Sequence, residues 1–380
     1  MTSPQPRVLH VISHFALGGA ERVALTIIKS LESEFSFSIH AVRGRRDDGV
    51  GKALEQEVQA EGIPYHTGSS IPMRYGGMLT GAYGLARSIR RFDPDIVHLH
   101  SEIPESSYAL LAALRWNARS RKAVRTIHNS TIWSFYPALG RWCDRRLQQA
   151  KCVAVSQGAA DEMIRLRGES GASQFSEPLP IITNGVSPAS VRKSRWQVGP
   201  RYEIVFGGRF EPEKGIDLIP KILPLVQVPD DREARLTLFG TGSVSPMLEE
   251  LRRNPPSGWT IEISPPVAHF RDRLPDYDLL IMPSRFEGLP LVGIESALAG
   301  LPIVAARAPG LTEVLPSDHP WWAKAGDASD FALVLSQAMF ATAQWESVAG
   351  NSQKFAESNF SDDHMARGYR EFYRDMLKSH

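Results

Sequence analysis

Two acids eight residues apart, Glu287 and Glu295, carry the densest chemical signal in the chain, within RFEGLPLVGIESALAGLPIVAA from Arg285 to Ala306. The apolar run Leu279-Leu280-Ile281-Met282 before it reads as a buried strand ended by Pro283. A loop follows, then a helix expected from about Pro290 to Leu298, then a second buried strand from Ile303 to Ala306. Pro290 suits a first helical position, where no backbone donor is missed, and Gly300 suits the stop. Glu295 is the only acid on that helix, and a carboxylate on an apolar helix needs a partner or a ligand. Glu287 precedes the helix N-terminus, an end rich in unpaired donors that favours anions such as phosphate. Gly288 lets a ligand approach the backbone, and the run Gly288-Leu289-Pro290-Leu291 is the segment that would face it. Taken alone, two acids at this spacing also fit a buried carboxylate satisfied by backbone and a loop residue beside a cap.

Cations are placed in a similar way. Ile204 to Arg209 reads as a strand, a glycine turn and an arginine, with Lys214 five residues later and a helix beyond. Arg forks onto phosphate oxygens and Lys supplies a point charge. Leu236 to Gly242 repeats the strand and glycine turn, with Gly240 at the turn. Gly18-Gly19 joins the first strand, Val8 to Ile12, to a helix beginning near Ala20, so backbone amides there can face a phosphate. It is not G-x-G-x-x-G, and a dinucleotide fold is not indicated. His128-Asn129 follows the strand Lys122 to Ile127, while His98 and His100 punctuate the strand Ile96 to His100. Asp93-Pro94-Asp95 and Asp276-Tyr277-Asp278 precede strands and read as turns, so no catalytic metal is expected.

The elements that must position these residues alternate. Strands are expected at Ser36 to Val42, Ile63 to Tyr65, Val153 to Val155 and Thr260 to Ile263. Helices are expected at Val50 to Glu61, Met78 to Arg91, Glu105 to Leu114 and from Ser156. That alternation predicts an α/β fold of parallel, doubly wound sheets, whose ligands collect beyond the C-terminal strand ends. At 380 residues, two domains are expected. Gly168 to Pro180 is polar and reads as a loop. The hinge is expected between Asn184 and Gly199, after Asn184-Gly185-Val186. The last stretch, Asp362 to Leu377, reads as an amphipathic helix with Met365, Tyr369, Phe372, Tyr373 and Met376 apolar.

Composition narrows the classes. Net charge is +1, with no overall bias toward nucleic acid. Residues 1–190 carry 22 basic and 17 acidic side chains, and 70–170 carry 15 and 8, so the first half has a basic face that could seat an anionic membrane or acceptor. Trp133, Phe135, Tyr136 and Trp142, with Arg141, Arg145 and Arg146, either dip into a bilayer interface or pack a core while the arginines face water. Cys143 and Cys152 allow neither a disulfide framework nor a zinc spacing. No signal peptide and no 18-residue apolar run are visible. The expectation is a cytoplasmic protein whose membrane contact, if present, is peripheral.

The pattern E-G-L-P-x-x-x-x-E followed by A-x-x-G-x-P-[IV]-[IV] resembles the signature of retaining glycosyltransferases of family 4, which have the GT-B architecture. Gly18-Gly19-Ala20-Glu21, the H-x-H strand, Asn184-Gly185-Val186 and Gly208-Arg209 with Lys214-Gly215 are similar to that family in the same order. The resemblance implies two Rossmann-like domains facing a cleft, at 1–188 and 189–360, with a returning helix at 361–380. It implies a retaining, metal-independent enzyme that moves a sugar from a UDP-, GDP- or ADP-sugar to a hydroxyl of a glycan or lipid-linked acceptor in polysaccharide assembly. Arg209 and Lys214 would hold the diphosphate, Glu287 the donor sugar and Glu295 the ribose. The backbone around Gly240 and Val267 would line the nucleotide, Gly18-Gly19 would lie beneath the diphosphate, and His128 would contact donor or acceptor. Many relatives have His-Asp where this chain has His128-Asn129. A GT-B epimerase or phosphorylase, or a nucleotide-binding partner without activity, are the alternatives.

Overall fold

The computed structural model describes residues 4–16, 18–45, 49–69, 71, 75–115, 121–188, 191–229, 232–267 and 269–378. The chain divides into two compact units, residues 1–185 with 362–380, and residues 186–361.

In the first unit the strands are β1 (Arg7–Ile12), β2 (Ser36–Ala41), β3 (Tyr65–Thr67), β4 (Ile96–His100), β5 (Lys122–Ile127) and β6 (Lys151–Ala154). The helices between and after them are α1 (Gly19–Leu31), α2 (Gly49–Ala60), α3 (Gly77–Phe92), α4 (Glu102–Ala113), α5 (Pro137–Arg146) and α6 (Gln157–Ser170). The strands pair in parallel in the order β3-β2-β1-β4-β5-β6. β1 and β4 are almost wholly buried, which is why both read as near-continuous apolar runs. Chain order reverses between them, and that reversal opens a crevice at their C-terminal ends.

Three sequence expectations shift. β3 lies at Tyr65–Thr67 rather than Ile63 to Tyr65, because Pro64 has no N–H for a ladder and only its carbonyl pairs, accepting from Ile39 N at 2.9 Å. α4 begins at Glu102 rather than Glu105, with Pro104 in its first turn, where a missing N–H is harmless. α6 runs on through Gly168 to Ser170, so the loop starts only at Gly171, whose left-handed φ of 72° stops the helix. Ser156 caps the start of α6, its Oγ accepting from Ala159 N at 3.1 Å.

A buried ionic cluster fixes the helices behind β5. Arg125, fully buried on that strand, donates to Asp144 at 2.7 Å and to Glu105 at 2.8 Å. Asp144 also accepts from Arg167 at 2.8 Å and from Ser170 Oγ at 2.6 Å. Burial works to raise the Asp144 carboxyl; the Arg125 charge and three donors outweigh it and hold its pKa below the ordinary value.

The second unit contains β7 (Arg201–Gly207), α7 (Ile219–Ile222), β8 (Glu233–Phe239), α8 (Ser245–Arg253), β9 (Trp259–Ser264) and β10 (Leu279–Met282). It continues with α9 (Leu291–Leu298), β11 (Ile303–Ala306), β12 (Trp322–Ala323), α10 (Ala328–Phe340) and α11 (Trp345–Asn359). The parallel order β12-β11-β10-β7-β8-β9 again reverses once, between β7 and β10. The helix expected after Lys214 is instead two 3-10 turns, 212–214 and 216–218, and the four-residue α7. Pro220 and Pro224 leave no long run of amides there to sustain an α-helix.

The final helix, α12 (Asp362–Lys378), belongs to the first unit and buries Met365, Ala366, Tyr369, Tyr373 and Met376. Phe372 stays at its border, half-buried. Arg370 and Arg374 both reach Glu34, at 2.6 and 2.7 Å, and Lys122 donates to the Met376 carbonyl at 2.5 Å, a favourable cation at a helix C-terminus.

Asp144→Ala leaves the buried Arg167 without a carboxylate and Arg125 with Glu105 alone. A loss of about 3–5 kcal/mol is expected, lowering the melting temperature by on the order of 10 °C. Thermal unfolding followed by circular dichroism checks this; a melting point within about 2 °C of wild type would show that the cluster adds nothing.

Candidate active site

At the reversal of the second sheet, the loop leaving β7 and the loop leaving β10 are pressed together. Gly215 has a φ of 66°, and a Cβ there would stand 1.8 Å from the Pro283 carbonyl oxygen. Glycine is thus required both by conformation and by space. This contact sets Lys214 Nζ 2.5 Å from Glu287 Oε2. Glu287 is 5% exposed, and its other oxygen accepts from Ser284 Oγ at 2.8 Å. Its backbone N–H donates to Pro309 O at 2.9 Å. Gly310, with φ of 74°, closes on the same loop, and a Cβ there would meet Gly288 O at 2.2 Å. Both the carboxylate and the loop carrying it are therefore fixed.

Arg209 pairs with Glu213, four residues on, and leaves 58% of its side chain exposed. Behind it Gly240 packs so tightly that a Cβ would lie 2.0 Å from Gly208 O. Arg285 clamps the 3-10 turn after Lys214 through two bonds to Asp217, at 2.6 and 2.8 Å. Pro290 serves as the cap of α9, with extended ψ of 118°, rather than as its first helical residue. Its carbonyl takes the Gly293 and Ile294 N–H groups at 3.1 and 3.3 Å. The amides of Leu291 and Val292 belong to the first turn, which no intrahelical carbonyl can reach. Glu295 lies one turn further on, half-buried on α9, and Val267 is half-buried beyond the end of β9. The structure thus brings Arg209, Lys214, Glu287 and the Gly288–Leu291 turn to the C-terminal ends of β7 and β10, with Lys214 on Glu287 and Arg209 on Glu213.

On the first unit, Gly18 caps α1 in extended conformation, φ −111° and ψ 155°. A Cβ on it would fall 2.1 Å from Glu21 Oε2. A carboxylate already rests where the helix end favours an anion. Ser13 and Ser101 hydroxyls meet at 2.9 Å across the ends of β1 and β4. Ser101 has φ 79° and ψ 179°, a region nearly confined to glycine, and Trp133 has φ 58°. Strain of this kind persists where the surroundings impose it, and it concentrates at functional sites. Asn129 Oδ1 and Ser130 Oγ, just after β5, are buried with no hydrogen-bond partner. Such orphaned groups call for a ligand or a water.

His128 sits at that same edge, half-buried, with Nε2 2.9 Å from His100 Nδ1. His98 and His100 are core residues with no exposure. The reading of the sequence missed Ser284, Glu213 and Arg285, which hold the charged groups in place. It also missed His10, 2.9 Å from His100. A serine before a known acid is the one local cue to Ser284; nothing near His10 marks its partners. The two D-x-D strings lie at the opposite, N-terminal strand ends. Asp95 accepts from Arg7 N at 2.8 Å, and Asp278 from Glu203 N at 3.0 Å. An open hollow of about 890 Å³ also lies at that end of the second unit, lined by Lys193, Arg195, Arg201, Glu203, Arg232 and Asp276. It mixes both signs of charge.

Comparison with known proteins bears on the family and the fold. Residues 201–339 match the family described as Glycosyl transferases group 1, and residues 17–190 match Glycosyltransferase Family 4. An uncharacterized 41.2 kDa protein in the cps region of Klebsiella pneumoniae is 25% identical over 58% of this chain and 62% of that one. The D-inositol 3-phosphate glycosyltransferase of Rhodococcus opacus strain B4 is 26% identical over 77% of this chain and 70% of its own length. Among solved structures, Anabaena Alr3699/HepE in complex with UDP and glucose superposes with a TM-score of 0.77 at 18% identity, covering 98% of this chain and 100% of that one.

Buried neutral imidazoles set an acid limit on the whole chain. Burial pushes His10 and His40 down to about 3 and His319 to about 4, holds His98 and His100 well below the ordinary value, and lowers the half-buried His128 as well. Below pH of about 6.5 the unfolded chain takes up protons that the folded chain refuses, so stability falls with acidification. Each such group contributes about 1.4 kcal/mol per pH unit across its window. The melting temperature should hold steady from pH 8 to 7 and drop steeply between about pH 6 and 4. A melting point unchanged down to about pH 5 would show that these rings are not held neutral.

Proposed function

We propose, from the premise that this chain belongs to glycosyltransferase family 4 and has its GT-B fold, that it transfers a sugar from a nucleotide-diphosphate sugar to a hydroxyl acceptor with retention at the anomeric carbon. The observation that carries this is the Lys214–Glu287 pair at 2.5 Å, set beside Arg209 and the start of α9. Lys214 has three donors and Arg209 five, and one acid on each leaves the others for phosphate oxygens. As the bond to the departing diphosphate breaks, negative charge grows there, and two fixed cations with the α9 amides stabilise it. Removing one such donor in a comparable site costs roughly 10²–10³ in rate. The same cations supply charge that a divalent ion supplies elsewhere, and the reaction is read as metal-independent.

Glu287 keeps lone pairs on both oxygens for hydroxyls of the donor sugar, and Ser284 and Lys214 prevent it from turning away. Glu295 is assigned the ribose hydroxyls, and the backbone near Gly240 and Val267 the nucleotide. The acceptor hydroxyl attacks on the leaving-group side and gives its proton to the departing phosphate oxygen. His128 and Gly18-Gly19 are assigned to the substrates from the first unit.

A lipid-linked acceptor, and peripheral docking on an anionic membrane, are the reading that the first unit's surface favours. The outer stripe of α3 and the turn before it exposes Tyr75, Leu79 and Tyr83, at 69%, 54% and 54%, followed by exposed Arg87 and Arg90. Phe135 and Tyr136 are exposed as well, whereas Trp133 of the same stretch is buried. An apolar stripe ending in arginines suits a headgroup boundary. No helix among the described residues is long and apolar enough to cross a membrane.

Lys214→Ala and Glu287→Ala should each lower kcat/KM by roughly 10²–10³ in an assay of UDP-, GDP- and ADP-sugars with added acceptors, with melting curves still cooperative. Normal turnover in either variant would remove the site from this account. Full activity in a chelator is expected. Conversion of the donor without any acceptor would favour an epimerase. Vesicles containing phosphatidylserine should sediment the protein at low salt and neutral vesicles should not, and Leu79→Ser with Tyr83→Ser should weaken that binding. Equal recovery with both vesicle types would contradict the membrane reading.

A further inference from the structure

A chain of buried hydrogen bonds runs from His128 into the core of the first unit and ends on α12. His128 Nε2 meets His100 Nδ1 at 2.9 Å, and His100 Nε2 meets His10 Nδ1 at 2.9 Å. His10 Nε2 lies 3.4 Å from the Tyr373 hydroxyl, the longest link. Tyr373 OH meets His98 Nδ1 at 2.6 Å, and His98 Nε2 meets Thr126 Oγ1 at 2.6 Å. Thr126 Oγ1 lies 3.2 Å from Tyr369 OH. His10, His98, His100, Thr126, Tyr369 and Tyr373 are all fully buried.

Each ring in this chain is neutral, so it carries one N–H and one bare nitrogen. Burial, the dominant cause, disfavours the charged form of every one. The hydroxyl protons of Tyr369 and Thr126 at one end, if both are to be satisfied, then dictate every proton along the row. Tyr369 is the end that decides. Its hydroxyl has Thr126 as its sole hydrogen-bond partner among the described residues. If Tyr369 donates to Thr126, then Thr126 donates to His98 Nε2, His98 Nδ1–H to Tyr373, and Tyr373 to His10 Nε2. His10 Nδ1–H then donates to His100 Nε2, and His100 Nδ1–H to His128 Nε2. Every proton has an acceptor. In any other assignment at least one buried proton, on the Thr126, Tyr369 or Tyr373 hydroxyl or on a ring nitrogen facing another N–H, has no acceptor in the row, a penalty that biases the equilibrium about tenfold or more.

We propose that this chain locks His128 in the tautomer that bears its proton on Nδ1, so that His128 presents an N–H to the substrate and acts as a hydrogen-bond donor rather than a base. Nδ1 has no partner among the described residues and is not sealed from solvent. Tyr373 and Tyr369, on the last helix, are positioning residues that act through His128. A solvated histidine side chain prefers its proton on Nε2, so the lock works against the ring's own tendency. The same three rings, His10, His98 and His100, bring ligand atoms within 4.8 Å of one another, the spacing of a candidate metal site. The hydrogen-bond row uses all their nitrogens and opposes that reading. The consequence for catalysis rests on the glycosyltransferase assignment above; the tautomer itself does not.

The test is long-range ¹H–¹⁵N NMR of the full chain with ¹⁵N-labelled histidine near pH 7.5, with the His128 signals assigned by their loss in His128→Ala. Wild type should show His128 protonated at Nδ1 and bare at Nε2. Tyr373→Phe removes one oxygen and cuts the row, and His128 should move toward the Nε2–H form. That variant should lower kcat/KM about tenfold in the wild-type background and by less than about twofold in His128→Ala, since a positioning effect vanishes when its target is gone. An Nε2–H ring in wild type, a His128 spectrum unmoved by Tyr373→Phe, or stoichiometric zinc in the purified protein would each overturn the proposal. If Tyr373→Phe does not fold, the wild-type spectrum decides alone. A correct tautomer with full activity in His128→Ala would leave the lock standing and refute only the role of His128 in transfer.

Discussion

Everything in the second unit's site depends on the contact of one lysine with one buried acid. Lys214 and Glu287 come from loops that are 73 residues apart, and they meet at 2.5 Å. A buried carboxylate without a partner is strongly unfavourable, and an exposed lysine wanders among rotamers. Paired, each fixes the other at the edge where chain order reverses. The pairing exists because Gly215 lets the β7 loop lie directly on Pro283 O, and because Gly310 holds the Glu287 loop from the other side. Charge placed in advance costs no reorganisation when a substrate develops charge of its own.

The first unit achieves a similar end with neutral groups. Its interior carries a row of imidazoles and hydroxyls where most doubly wound sheets carry aliphatic side chains. Such a row is tolerable only when each donor finds an acceptor. Behind β5, a second buried network of two arginines and two acids ties α4, α5 and α6 to the sheet. The two networks divide the work. The ionic one secures the frame, and the neutral one ends at His128, on the edge that also holds the strained Ser101 and the orphaned Asn129 oxygen.

Much of this was legible in the sequence. Strand runs such as Ile96 to His100 and Ile303 to Ala306 were found to the residue, because parallel strands buried on both faces read as near-continuous apolar runs, with His98 and His100 the polar exceptions in β4. Arg209, Lys214 and Glu287 were legible through the resemblance of the motifs that carry them; taken alone, their spacing fitted solvated cations and a loop acid equally well. What could not be read was partnership. Nothing in the sequence couples His10 to His100, Arg125 to Asp144, or Tyr373 to His98, since those contacts depend on strand register and on where α12 docks. Pro misled in two opposite ways. Pro64 displaced a strand by its missing N–H, and Pro290 took the cap rather than the first turn. Gly168 fitted a loop by composition, yet the helix ran through it until the left-handed Gly171.

The central claim is that two cations and an acid at the β7–β10 edge grip a nucleotide diphosphate. A crystal structure of the protein soaked with uridine or guanosine diphosphate tests it most directly. The account predicts the terminal phosphate within hydrogen-bond distance of both Lys214 and Arg209, with the ribose hydroxyls on Glu295. A diphosphate bound instead among Lys193, Arg195 and Arg232, at the opposite end of the same sheet, would contradict it.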